Sequence, residues 1–466
     1  MFPPETEDAR FRLVAAFDDA RERGMEMLSV AFPSLPAQAF DSLACSGNDA
    51  LRFLFENRRT GTALAAWDFR AAPSTSFARG ISSFKKNLPA HRAVLALDGG
   101  KAETVSAPKI FVAGAFGKDV LSRAEIPVWQ ISRGNGATRI SAHVLLSETP
   151  PSELAAATLT REFAVLRALA EMPPSRPPLP EIITVSSPGN DGGYLSGVER
   201  AVEAIRAGKF RKVVLARAKD FAFSPGKKFP SGTFIALLRE RFAESGCTIF
   251  FTRANFPGEP LEETLVGATP ETLLRVSGGV LATEALAGTL PRRFPADAAA
   301  DEASARALLE DAKERREHAF VVDFIMEKLR ALGLKPRASE KPQILCLPNV
   351  FHLRTPITAD VSSGLSAAEI ADALHPTPAM CGVPAEASER FITATEPFSR
   401  GRFSAPVGFF DASGDGQFAV AIRCAKIGRG AIRLYAGAGI VADSVPAAEF
   451  AETEAKISAL SSLLPH

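Results

Sequence analysis

GQFAVAIRCAKIGRGAIRLYAGAGIV, residues 416–441, contains two apolar runs, 416–427 and 431–441, parted by a Gly-Arg-Gly spacer. Two such runs around a short glycine-bearing turn read as a β-hairpin. Working outward, further strand candidates lie at 212–218, 247–253 and 271–286. In GYLSGVERAVEAIRAG (193–208), Leu195, Val198, Val202 and Ile205 recur at helical spacing and Gly208 closes the run. Helices are expected also at 301–332 and 445–464. Strands and helices in this mixture predict an α+β fold, layered, with a largely antiparallel sheet flanked by helices.

The segment EMPPSRPPLPEIITVSSPGNDGG (171–193) carries five prolines between Pro173 and Pro180 and then a Gly/Asn/Asp cluster. Such a stretch cannot sit inside a helix or a central strand, so it reads as the connection between an N-terminal part, 1–189, and a C-terminal part, 190–466. The N-terminal part offers strand-like runs at 91–99, 109–117 and 126–131, and a helix over 152–172 with Ser152 as its cap. Nothing in it demands chemistry, and it reads as scaffold.

The 466 residues suffice for one large domain or a few ordinary ones, and 46% hydrophobic with 23% charged residues is a globular composition. A net charge of +1 excludes a general nucleic-acid or membrane-surface role but leaves room for a small anion held by a few local cations. The N-terminus lacks a basic segment followed by an apolar one, so no signal peptide is expected, and no apolar run is long enough for a membrane span. Five scattered cysteines form no CxxC pair, which argues against a disulfide framework or zinc site and for the cytoplasm. Without a coiled-coil pattern, a monomer is expected.

Several residues invite a functional reading. Glu310, Glu314, Glu317, Val321 and Phe324 share one helical face, which would enter a core with acids at its lip, or would simply be solvated beside Lys313, Arg315 and Arg316. Glu449, Glu452 and Lys456 share a face of the last helix, where Glu452 and Lys456 are equally readable as a surface pair. Carboxylates on two helices would suit a hard cation such as Mg²⁺. Arg423, among apolar neighbours, needs an anionic partner, and Gly437 and Gly439 permit close backbone approach. Glu271 follows a proline at a strand start, where burial would raise its pKa and make it an acid. His352 reads as structural on its own. In KFRKVVLARAKD (209–220), alternation puts Lys212 with Val214, Ala216 and Ala218, and leaves Arg217 and Lys219 on the solvated face.

The order of the motifs adds what none supplies singly. KVVLAR (212–217), GATPETLL (267–274), LAGT (286–289), KERREH (313–318), HLRTP (352–356), HPTPAMCG (375–382), IRCAK (422–426), AGAGIV (436–441) and EFAETEAK (449–456) follow one another in a single series. This series resembles the chorismate-utilising enzyme family, and most its isochorismate synthase branch, over about residues 190–464. The preceding residues resemble the family's variable N-terminal part only loosely.

The resemblance implies a sheet-and-helix fold with Mg²⁺ in a deep cleft. It implies that Glu317 and Glu452 hold the Mg²⁺, and that Arg423, Lys456 and the Gly437 backbone take the carboxylates of chorismate. Gly288, Thr289, His352 and Ala379 match further substrate-contacting positions, Lys212 the general base and Glu271 the general acid. Water would add at ring C2 while the C4 hydroxyl leaves protonated, which asks for a lysine poised as base and a glutamic acid kept protonated. The anthranilate branch resembles this scaffold without the base lysine, and the aminodeoxychorismate branch carries a nucleophilic lysine where this chain has Ala287. Salicylate synthases, which also eliminate pyruvate, share Lys212, and a catalytically silent chorismate-binding subunit is a reading from a different class. Arg316, Ala319 and Phe450 depart from the family pattern. Menaquinone, siderophore or salicylate biosynthesis would use the isochorismate.

Overall fold

The computed structural model describes residues 4–46, 50–67, 92–97, 107–117, 122–134, 136–174, 176–254, 263–292, 298–346, 350–361 and 364–465. Residues 91, 98 and 99 of the 91–99 run therefore lie outside the described residues. Among the described residues the strands form a 13-stranded and a 9-stranded sheet. Their pairings are antiparallel, except that Met27–Pro36 runs parallel to Arg92–Ala96. With helices packed against these sheets the fold is α+β, as the patterning predicts. No helix of the described residues is long and apolar enough to cross a membrane.

The hairpin is present: Cys424–Ile427 pairs with Ala431–Ile440, and Ala425 faces Leu434. The preceding run, however, is not one strand. Gly416–Val420 belongs to the smaller sheet and Cys424–Ile427 to the larger, with the change made at Ala421–Arg423. Arg423 there takes φ 48°, a conformation a non-glycine residue adopts only when its surroundings enforce it. Gly267 leaves room for it, because a Cβ at that position would stand 2.7 Å from the Arg423 carbonyl oxygen. A second crossing lies beside the first. Glu263–Thr269 is in the larger sheet and Thr272–Ser277 in the smaller, with Pro270 and Glu271 between them. The Glu271 carbonyl accepts from the Val420 N–H at 3.1 Å, so the crossings are tied together.

Three other sequence expectations are corrected. The run 271–286 is a hairpin, Thr272–Ser277 and Val280–Pro291, turned at Gly278–Gly279. The helix expected over 301–332 is two, Ala298–Glu310 and Ala312–Ala331, because the Asp311 side chain caps the second by accepting from the Lys313 and Glu314 N–H groups. Glu310 thus leaves the face it was expected to share with Glu314 and Glu317. Ser152 is the first residue of its helix, with Pro151 in the cap position.

The proline-rich connection contains one strand, Ile182–Ser186, which pairs only along Asp220–Phe223 at an outer edge of the strand Lys212–Phe223. The two parts of the chain share the larger sheet. Thr248–Ala254 from the C-terminal part pairs with Leu51–Asn57 from the N-terminal part, and Phe250 faces Phe55.

Candidate active site

Both crossings open onto a cleft of about 680 Å³. Glu271, Gly288, Thr289, Glu317, His352, Ala379, Arg423, Gly437, Glu452 and Lys456 all line it. Of the residues to which the family resemblance gives a role, only Lys212 stands behind that lining, fully buried, with its Nζ donating to Glu317 Oε1 at 2.9 Å. The strand register explains how a lysine reaches that place. Val214 faces Gly439 on the neighbouring strand, and a Cβ at 439 would fall 2.1 Å from Glu317 Oε1 and 3.1 Å from Lys212 Cε. Glycine at 439 therefore leaves the space in which the amine and carboxylate meet.

Glu317 stands on the helix Ala312–Ala331, whose orientation His318 fixes. The His318 ring nitrogens lie 3.2 Å from the Ala287 carbonyl and 2.7 Å from Thr355 Oγ1, and burial lowers its pKa to about 4. Four carboxylates gather nearby. Lys313 Nζ lies 3.0 Å from Glu449 Oε1 and 3.3 Å from Glu314 Oε1, while Lys456 Nζ donates to Glu452 Oε1 at 2.6 Å and to the Gly437 carbonyl at 2.9 Å. Glu314 also accepts from the Thr289 N–H at 2.7 Å. Its pKa rises to about 7, first through burial and then through the charge of Glu317. These are not the solvated helix charges that spacing alone allowed.

A second chain of contacts places the arginine. Arg423 Nη2 donates to His352 Nε2 at 3.2 Å, so the His352 proton belongs on Nδ1, 3.3 Å from the Gly288 carbonyl and 3.1 Å from Thr289 Oγ1. Burial and then the Arg423 charge push the His352 pKa well down, which keeps the ring a neutral acceptor. Burial likewise lowers the pKa of Arg423. Glu271 shows the opposite effect: burial, then the charge of Glu284, lifts its pKa to about 8. Glu284 itself is held by Arg59 at 2.9 Å and by Arg354.

Much of the remaining wall is apolar or aromatic, with Val214, Met380, Phe403, Ile422 and Tyr435 beside Ser404. Sequence reading does not single these out as site residues, since they come from separate stretches with no shared period. It also misplaces Arg217, which is only 5% exposed, stacks over the Phe450 ring at 4.0 Å and pairs with Glu454.

Residues 14–465 match the family described as chorismate binding enzyme. The chain belongs to that family. Among curated chorismate-binding relatives, isochorismate synthase DhbC of Bacillus subtilis (strain 168) is 36% identical over 264 residues, covering 56% of this chain and 65% of the relative. Isochorismate synthase EntC of Escherichia coli (strain K12) is 40% identical over 196 residues, 42% of this chain and 50% of the relative. The chain thus spans half to just under two thirds of these two proteins. Over nearly the whole length it matches the solved structure of MenF, the menaquinone-specific isochorismate synthase from Escherichia coli, with a TM-score of 0.76 and 25% identity, covering 97% of this chain and 99% of that one.

The cleft has the donor chemistry for a hard cation. Glu317 and Glu452 present carboxylate oxygens from two helices, and Glu314 is destabilised as an anion by both. A divalent cation held by Glu317 and Glu452 would relieve that repulsion. No group of three or more His, Cys, Asp and Glu side chains among the described residues forms a complete metal cage. Two carboxylates are nevertheless enough for Mg²⁺, which normally completes its shell with water and substrate oxygens.

Proposed function

We propose that this chain is an isochorismate synthase: it adds water at C2 of chorismate and expels the C4 hydroxyl, with the double bonds shifting. The observation that carries the reading is a buried lysine amine and a carboxyl held protonated to about pH 8 serving one cleft. Glu271 protonates the departing hydroxyl, which is a poor leaving group as hydroxide. Lys212 takes the proton from the attacking water as a free amine, for which it must first give its own proton to solvent and release the Glu317 carboxylate. Arg423, held by His352, and Lys456, held at the Gly437 carbonyl, receive the carboxylates of the substrate. Gly288, Thr289 and Ala379 shape the wall beside the ring.

Glu317 and Glu452 would hold Mg²⁺, which when bound supplies charge neutralisation and orientation for the ring carboxylate. Glu317 is thus shared between the cation and Lys212, which links cation binding to release of the amine. The substrate is a small molecule, the proposed compartment is the cytoplasm, and the product would feed menaquinone, siderophore or salicylate biosynthesis.

The test is product identification by chromatography after incubation with chorismate and Mg²⁺. Isochorismate is expected from the wild type and none from Lys212→Ala, whose circular dichroism should be unchanged. Salicylate with pyruvate, an aminated product in the presence of ammonia, or no turnover would each overturn the assignment.

A further inference from the structure

Ser404 is a polar residue of the cleft wall to which neither the motif series nor the chemistry above gives a task. It is 1% exposed, yet its hydroxyl makes no hydrogen bond to any described residue. A buried hydroxyl without a partner is costly. Thr377 Oγ1, two residues before Ala379, is also unpartnered but is sealed from solvent. Ser404 Oγ is not sealed, and the cleft is the space it opens onto.

Its backbone raises the same question. Ser404 takes φ 66°, in the left-handed region that a Cβ disfavours. Glycine would adopt that conformation without cost, and asparagine or aspartate would ease it with a local hydrogen bond, which the Ser404 hydroxyl does not make. The surroundings hold it there. The Ser404 N–H donates to the Ala421 carbonyl at 2.8 Å, and the Ala421 N–H to the Ala405 carbonyl at 2.8 Å. On the neighbouring residues, the Phe403 ring stacks on Tyr435 at 4.9 Å, and Arg402 Nη1 donates to the Ala113 and Gly114 carbonyls at 3.0 and 3.1 Å. A serine kept in a strained place, its hydroxyl unused by the protein, points to a use outside it.

The tie to Ala421 joins Ser404 to the crossing that carries Arg423, so the two residues share one hydrogen-bonded corner of the cleft. Arginine has no acceptor to offer a hydroxyl, and the acceptor that both can share is an anion. We propose that Ser404 is a substrate-binding residue, its hydroxyl donating to the carboxylate of chorismate that Arg423 receives. This contact rests on chorismate occupying the cleft, whatever product leaves it.

Steady-state kinetics of chorismate consumption with Mg²⁺ tests the contact in Ser404→Ala and Ser404→Gly, with melting curves to establish that both are folded. Alanine keeps the strained Cβ and glycine relieves it, but neither has a hydroxyl. KM should therefore rise about tenfold in both, more than any fall in kcat, as the loss of a hydrogen bond to a charged group predicts. An unchanged KM in either variant overturns the proposal, since the residue would then serve the turn alone. Ser404→Gly fits φ 66° and so gives the answer even where the alanine variant misfolds. Chorismate itself is followed, so an unexpected product would overturn the isochorismate assignment and leave this test standing. Where chorismate is bound but not turned over, its calorimetric Kd takes the place of KM, with the same tenfold change expected.

Discussion

Glu271 shows how one side chain sets a working range. Burial is the largest cause of its raised pKa and the charge of Glu284 the next. A carboxyl with pKa about 8 is protonated below that pH and loses its proton above it, so the acid is present in neutral solution and absent in alkaline. Turnover should therefore fall as pH rises through about 8. Glu284→Gln removes the repelling charge and leaves Lys212, Lys456 and Arg423, whose charges favour the ionised form of Glu271. The alkaline fall in kcat should then move to lower pH, and a pH–rate profile that keeps its position in this variant would remove Glu271 from the role of acid.

At the scale of elements, the site depends on how closely the last strand approaches the helix Ala312–Ala331. Gly439→Ala should push the Glu317 carboxylate out of place, because the added methyl overlaps its Oε1. Activity should drop by a factor of about 100 or more, as expected when a reacting group is displaced by around 1 Å. A Mg²⁺ titration should shift to higher concentration in the same variant; unchanged metal dependence would mean that Glu317 does not hold the cation. The sequence made Lys212, Glu317, Glu452 and Arg423 legible as a set because the motifs that carry them follow one another in the order that resembles the family. It hid the breaks between elements. Residues 416–427 read as one strand since apolar texture continues through the change of sheet, and the glycine that permits the turn at Arg423 lies far away at position 267. The start of the second helix was signalled by Asp311, but the run of glutamates at helical spacing carried across it. Alternation put Arg217 in solvent because it presumes one wet face, whereas helices cover this strand on the side where Arg217 lies.

For the whole molecule, the larger sheet is continuous across the two parts of the chain at Leu51–Asn57 and Thr248–Ala254. A fragment of residues 190–466 would carry the motif series yet expose the edge of Thr248–Ala254, with Ile249, Phe250 and Phe251 uncovered. It should aggregate, as light scattering and gel filtration would reveal, and a monomeric, active fragment would refute the claim. The paired sheet crossings have another consequence. Enzymes whose reactive groups sit on loops can acquire new chemistry by exchanging loops. Here Glu271 and Arg423 lie on the path by which the chain passes between its sheets, so rerouting that path would dismantle the core. Evolution and protein engineers alike are left with side-chain replacement on a fixed frame as the route to a different reaction.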